Sequence, residues 1–183
     1  KRMNDPSTPN GASQLRTFTT TNIKQIEIIK GGSSSIWGSN ASAGVINIIT
    51  KDATEGLHGS LALGYGTYNT KGLEGTLSYK DEKFTAQLQA GKLKTDGISS
   101  LAPRDAESDG YENTNYNIKL GYVFNENNKL SLSYNDIKTE TEFDNFDPDD
   151  ENTNGDTTQK NYNLNYVFSS DAYSAIFRAS KSD

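Results

Sequence analysis

The chain has 183 residues, enough for one domain with a core of its own, yet only 32% of them are hydrophobic and the mean hydropathy is -0.76. A net charge of -6 argues against nucleic acid as a partner, because neutralising phosphates takes clustered Lys and Arg, and with no cysteine in the chain no disulfide framework or thiol chemistry enters. Aromatic residues make up 10% of the chain at regular spacing, which argues against disorder and for strands that need apolar residues only at alternate positions.

Residues 1–56 open with a Pro/Asn/Ser-rich stretch, Asp5-Pro6-Ser7-Thr8-Pro9-Asn10-Gly11, which reads as a loop. A short strand follows from Ile23 to Lys30, broken by Gly31-Gly32. After a small-residue stretch containing Trp37-Gly38, a second strand runs from Gly44 to Thr50. Two short β-branched strands joined by a Gly/Ser-rich connection predict a small mixed sheet. The longest apolar run, Val45 to Ile49, is interrupted by Asn47 and is far too short for a transmembrane helix.

From Leu57 onward the period is two. In 116–124, Tyr116, Ile118, Leu120, Tyr122 and Phe124 alternate with Asn117, Lys119, Gly121 and Val123. Leu130, Leu132 and Tyr134 alternate with Ser131, Ser133 and Asn135, and Tyr162, Leu164, Tyr166 and Phe168 with Asn161, Asn163 and Asn165. Successive strand side chains point to opposite faces, so each segment has one apolar and one polar side. Seven strands are predicted, near 57–67, 70–80, 82–95, 111–124, 127–141, 157–168 and 171–181.

The links between them alternate in length. Those at 80–83, 125–128 and 169–172 are tight turns, whereas 95–110 and 142–156 are long and acidic; Tyr68-Asn69 is the short exception. Outer-membrane barrels alternate in this way because periplasmic turns are short and extracellular loops long. A soluble antiparallel sandwich, serving as an adhesin or binding module, also alternates. Against it stand strands of about a dozen residues where globular ones average roughly 5–6, aromatics at the ends of the apolar face, and an opposite face rich in amides and hydroxyls.

The stretch from Ile26 to Lys51 resembles the end of the plug in TonB-dependent outer-membrane receptors: Ile26-Glu27-Ile28-Ile29-Lys30-Gly31-Gly32, then Trp37-Gly38, then Gly44-Val45-Ile46-Asn47-Ile48-Ile49-Thr50-Lys51. Gly32 stands where the family usually has Pro, Trp37 where it has Tyr, and Ala43 where it has the first of two glycines. Gly31, Gly38 and Gly44 keep the positions that force a tight backbone. The resemblance implies an all-β chain, with residues 1–56 the C-terminal part of a plug domain and 57–183 the first strands of an antiparallel transmembrane barrel. Plugged transporters close with about 22 strands, so this would be a fragment. Its secretory signal and the segment that contacts TonB are expected upstream of Lys1, since Lys1-Arg2-Met3-Asn4 carries no leader. Glu27 and Lys30 occupy charged positions of the motif and are read as structural.

Within that family the resemblance is greatest to the cobalamin receptors, which implies calcium held by carboxylates of the second and third outer loops. The matching positions are Glu107, Asp109, Asp144 and Asp156, with Glu107 in place of the group's usual Asp. Calcium takes six to eight oxygens, which two neighbouring acidic loops can supply; simple solvated acidic surface is the alternative. Asp150-Glu151-Asn152-Thr153-Asn154-Gly155 begins like an EF-hand loop, but its twelfth position is Asn161, so that reading fails. The opening segment matches an apical plug loop, making Asn4, Asp5, Ser7, Thr8 and Asn10 candidate substrate contacts. The expected function is TonB-driven import of a scarce small molecule, cobalamin first and a siderophore second, across the outer membrane, with membrane lipid around the barrel. An enzyme is not expected, because His58 is the sole histidine and no triad or metal cluster can be built on it.

Overall fold

The computed structural model describes residues 23–32, 44–98, 108–143 and 153–183. The chain separates into two compact units, Lys1–Asp52 and Ala53–Asp183.

In the first unit, β1 (Ile23–Lys30) pairs antiparallel with β2 (Gly44–Thr50). The register sets Ile26 opposite Ile48 and Ile28 opposite Ile46, so one face of the ribbon is four isoleucines. The other face sets Glu27 opposite Asn47, whose Nδ2 donates to the Glu27 carboxylate at 2.8 Å, while Gln25 Nε2 donates to the same carboxylate at 3.0 Å. Glu27 is thus a structural acceptor that ties the two strands together. The described pairing is antiparallel; the parallel pairing that a mixed sheet requires does not fall among the described residues. Trp37 and Gly38 lie outside them.

In the second unit, β3 (Gly56–Gly66), β4 (Thr70–Lys80), β5 (Phe84–Thr95), β6 (Tyr111–Asn125), β7 (Asn128–Phe143), β8 (Thr153–Ser169) and β9 (Ser174–Ser182) form one sheet in sequence order. Every neighbouring pair is antiparallel, and β3 and β9 are its edges within this chain. β1 and β2 hydrogen-bond to each other and to none of these seven strands.

Turn chemistry explains the tight links. Tyr68 and Asn69 both have positive φ, 55° and 53°, and Thr70 N donates to Thr67 O at 3.2 Å. That is a two-residue hairpin whose twist matches its strands. At the other end, Asp81 Oδ1 accepts from Lys83 N at 2.8 Å and Phe84 N at 2.7 Å, a side chain closing its own turn. Asn125 Oδ1 does likewise for Asn127 N and Asn128 Nδ2, at 3.0 and 2.8 Å.

The Asp81 turn carries a pH signature. Donation from the Phe84 and Lys83 amides, and then from the Tyr79 hydroxyl, holds its carboxyl below the usual carboxylate range. A carboxyl depressed in the folded state contributes stability that is present above its unfolded pKa and lost as pH falls through the folded one. A carboxyl NMR titration of the full-length receptor in micelles should therefore place the Asp81 midpoint below that of an ordinary aspartate. A midpoint at the ordinary value would show that the turn bonds do not persist in solution.

The strands follow the predicted ones closely except at the start of β9, which begins at Ser174 rather than 171, and at the long-link end of β7 and β8. There pairing continues to Phe143↔Thr153, so β8 starts four residues before the expected 157. Thr139, Thr141, Thr153, Thr157 and Thr158 favour extended backbone, but they lack the apolar alternation that marks the rest.

Candidate functional site

The register sorts the side chains of the wall into two faces. On one, Leu88, Ile118, Tyr134 and Tyr162 lie in a row across β5–β8, followed by Ala86, Leu120, Leu132 and Leu164, then Phe84, Tyr122, Leu130 and Tyr166. This face is open: Leu61 is 71% exposed, Leu77 48%, Leu132 42% and Leu120 39%. Aromatics mark both margins. Tyr134 and Tyr162 meet at a tilt with ring centroids 5.0 Å apart at one; at the other Tyr122 meets Phe124 edge-on (4.9 Å) and Tyr79 meets Phe84 at a tilt (6.4 Å). From Tyr116 to Phe124 the strand runs about 27 Å at roughly 3.4 Å per residue. Tilted by about 40°, it covers some 20 Å of an apolar band about 25 Å tall, and the rings reach beyond its ends. An apolar stripe of this size on a soluble protein would drive aggregation; between two girdles it faces lipid.

The opposite face is a lattice of amides and hydroxyls. Asn113 Nδ2 donates to Thr139 Oγ1 at 3.1 Å, and Asn115 Nδ2 to Asn113 Oδ1 at 3.2 Å. Asn163 Nδ2 donates to Ser133 Oγ at 3.1 Å, Ser182 Oγ to Asn161 Oδ1 at 2.9 Å, and Arg178 Nε to Asn165 Oδ1 at 3.2 Å. Asn113, Asn115, Thr139 and Asn161 are buried, as is Ile137. Burying an amide is tolerable when it finds hydrogen-bond partners, and here Asn115 finds one along β6 while Asn113 and Asn161 find theirs across strands. Asn113 and Asn115 continue the phase of Asn117 within the predicted 111–124 strand, so the period of two places them on this face, although it does not show that they are buried.

At the long-link end, Gly110 N donates to Glu142 Oε2 at 3.0 Å, and Glu142 N to Gly110 O at 2.8 Å. The bases of the second and third outer links are therefore joined, with Asp109 beside the joint and half-buried. Asp156 is not in a link. It sits inside β8, exposed, on the lipid-side face across from Glu140. Among the described residues no three carboxylate, His or Cys side chains converge as metal ligands. Glu107 and Asp144 lie outside the described residues, as do Asn4, Asp5, Ser7, Thr8 and Asn10.

A further set was not singled out from the sequence. In phase with the apolar stripe but beyond Tyr116 and Tyr134, the lipid-side face turns charged: Lys71, Lys92, Lys94, Glu112, Lys138, Glu140, Asp156 and Lys160. Lys92 Nζ reaches Glu112 at 2.5 Å and Lys138 Nζ reaches Glu140 at 2.6 Å. Their even spacing with the leucines was the available signal.

A lipid-facing antiparallel wall with aromatic margins and a polar inner side is part of an outer-membrane β-barrel. Residues 1–45 match the TonB-dependent receptor plug domain. The vitamin B12 transporter BtuB of Vibrio vulnificus is 30% identical over 124 residues, covering 67% of this chain and 20% of that protein. The rhizobactin receptor of Rhizobium meliloti is 28% identical over 151 residues, covering 71% and 20%. In fold, the siderophore receptor PirA from Acinetobacter baumannii superposes with a TM-score of 0.75 at 19% identity, over 91% of this chain and 27% of its own. The chain belongs to the TonB-dependent receptors, a family of transport receptors of the outer membrane. It spans about a fifth of the length of the curated relatives it matches.

Proposed function

We propose that the receptor containing this chain imports a scarce organic nutrient, cobalamin in the first reading, with energy delivered through TonB. The observation that carries the transport reading is the order along the chain: a plug-family match over residues 1–45, then a lipid-facing wall. For cobalamin, the support is the 30% identity to a vitamin B12 transporter. A ferric siderophore is the second reading, and the rhizobactin receptor at 28% over a longer stretch supports it to the same degree. In either case Asn4, Asp5, Ser7, Thr8 and Asn10 would meet the ligand from the plug side.

Under the cobalamin reading, calcium binds at the second and third outer links, held by Asp109, by Asp144 and, from within β8 rather than from a link, by Asp156, and more weakly by Glu107. The joint between Gly110 and Glu142 supports this reading, because it keeps the two link bases adjacent. Calcium would then order the links and tighten cobalamin binding through linkage.

The test is calcium titration of the full-length receptor in micelles, together with its binding of radiolabelled cyanocobalamin with and without calcium, beside Asp144→Asn and Asp156→Asn. Cobalamin binding that rises with calcium in the parent and not in the variants is the expected result. No calcium uptake by the parent, or uptake by both variants equal to the parent's, removes the metal site. No cobalamin binding under any condition, with retention of a ferric siderophore, transfers the function to the second reading.

A further inference from the structure

The charge on the lipid-side face is uneven. Across β7 and β8 it is near balance, with Lys138 among Glu140 and Asp156. Across β4 and β5 it is not. Lys71 and Lys94 are direct cross-strand partners, an arrangement of like charges that destabilises a sheet unless something offsets it. Lys92 stands two residues further along the same face. Glu112 is the one carboxylate in salt-bridge range of these three among the described residues, 2.5 Å from Lys92 and 3.9 Å from Lys94, and Lys71 has none. The Lys92 and Lys94 side chains remain 55% and 61% exposed. The register partners of Lys71 and Lys92 are Tyr65 and Leu73, and Leu63 lies opposite Leu73, so the ammonium groups rise directly from an open apolar stripe.

We propose that this corner of the wall holds the phosphate of a membrane lipid whose acyl chains lie along the Leu63–Leu73 stripe. Charge complementarity selects an anion, because three lysines share this corner of the face with one carboxylate in salt-bridge range. Position selects a lipid over a soluble anion, since the lysines sit at the membrane margin where headgroups lie and where long Lys stems reach out of the apolar band. The margin is the one bearing the long links, hence that of the outer leaflet. Such a lipid relieves the Lys71–Lys94 repulsion and anchors the wall at a fixed depth. This inference depends on the barrel lying in the outer membrane and is independent of which nutrient is imported.

The experiment is native mass spectrometry of the full-length receptor released from micelles containing dioleoyl phosphatidic acid, with dioleoyl phosphatidylcholine as the zwitterionic control. Folding of each variant is checked by heat-modifiable migration. The parent should retain phosphatidic acid, and Lys71→Gln and Lys94→Gln should each lower retention by about fivefold. Glu112→Gln, which removes the competing carboxylate, should raise it. Lys83→Gln, in a turn at the opposite margin, should leave it unchanged. Retention that ignores Lys71→Gln, Lys94→Gln and Glu112→Gln alike overturns the proposal. So does displacement of the lipid by millimolar inorganic phosphate, which would mark a site for a free anion.

Discussion

Replacing Leu120 with arginine in the full-length receptor should cost about 2–4 kcal/mol of folding stability in vesicles, whereas Ser131→Arg should be mild. Leu120 lies mid-strand on β6, between Leu132 of β7 and Ala86 of β5, with aromatics to either side along the strand at Tyr116 and Tyr122. An arginine there would sit near the bilayer midplane, too far from either margin for its head to escape easily. Ser131 belongs to the other face, where its hydroxyl meets the Asn165 amide at 3.5 Å and the Asn165 carbonyl at 3.4 Å. Among amides and water, a guanidinium loses little hydration. Reversible urea unfolding of the two variants in phosphatidylcholine vesicles measures the difference. Equal costs would mean that the faces have been assigned the wrong way round.

That prediction rests on alternation, which was legible from residues alone wherever one face is apolar. Ile118, Leu120, Tyr122, Leu132, Tyr134, Leu164 and Tyr166 all fall on the lipid-side face, and Asn117, Lys119, Ser131, Ser133, Asn163 and Asn165 on the other. The tight turns were legible for a related reason, since Asp81, Asn125 and the Tyr68-Asn69 pair supply the local chemistry that a hairpin needs. Legibility faded where the strands leave the membrane. Beyond Tyr116 and Tyr134 both faces become polar, the contrast that reveals a period of two vanishes, and residues 153–156 read as loop although the backbone pairing continues through them. Asp156 moved for that reason from a link into a strand. The charged rim escaped notice because each lysine, taken singly, reads as solvated surface; only the register shows Lys71 and Lys94 as partners. Ligand contacts are harder still to read from residues, because polar residues such as Asn4 and Ser7 suit any ligand with amide or hydroxyl edges.

The β1–β2 ribbon offers the second large effect. Gly44→Ala should destabilise β1–β2 by about 1–3 kcal/mol, the usual cost of forcing an extra carbon into a packed site. A Cβ at Gly44 would stand 2.6 Å from the carbonyl oxygen of Ile29. That atom is backbone held in the ladder beside Lys30↔Gly44, so it cannot yield as a flexible side chain would. The φ of +154° adds strain for any L side chain. Gly31 makes the informative control. Its φ of +95° also disfavours alanine, but nothing lies within 4 Å of an added Cβ, so Gly31→Ala should cost only the conformational share, about 1 kcal/mol. Hydrogen exchange of the Ile26–Ile29 and Val45–Ile48 amides in the full-length receptor reads the outcome where it arises. The expected pattern is exchange accelerated about tenfold or more in Gly44→Ala, less in Gly31→Ala, and unchanged at 118–122 in both, because β1 and β2 share no ladder with the seven-stranded wall. Equal acceleration in the two variants would show that the close approach to Ile29 contributes nothing. Acceleration at 118–122 would show that the ribbon and the wall unfold as one.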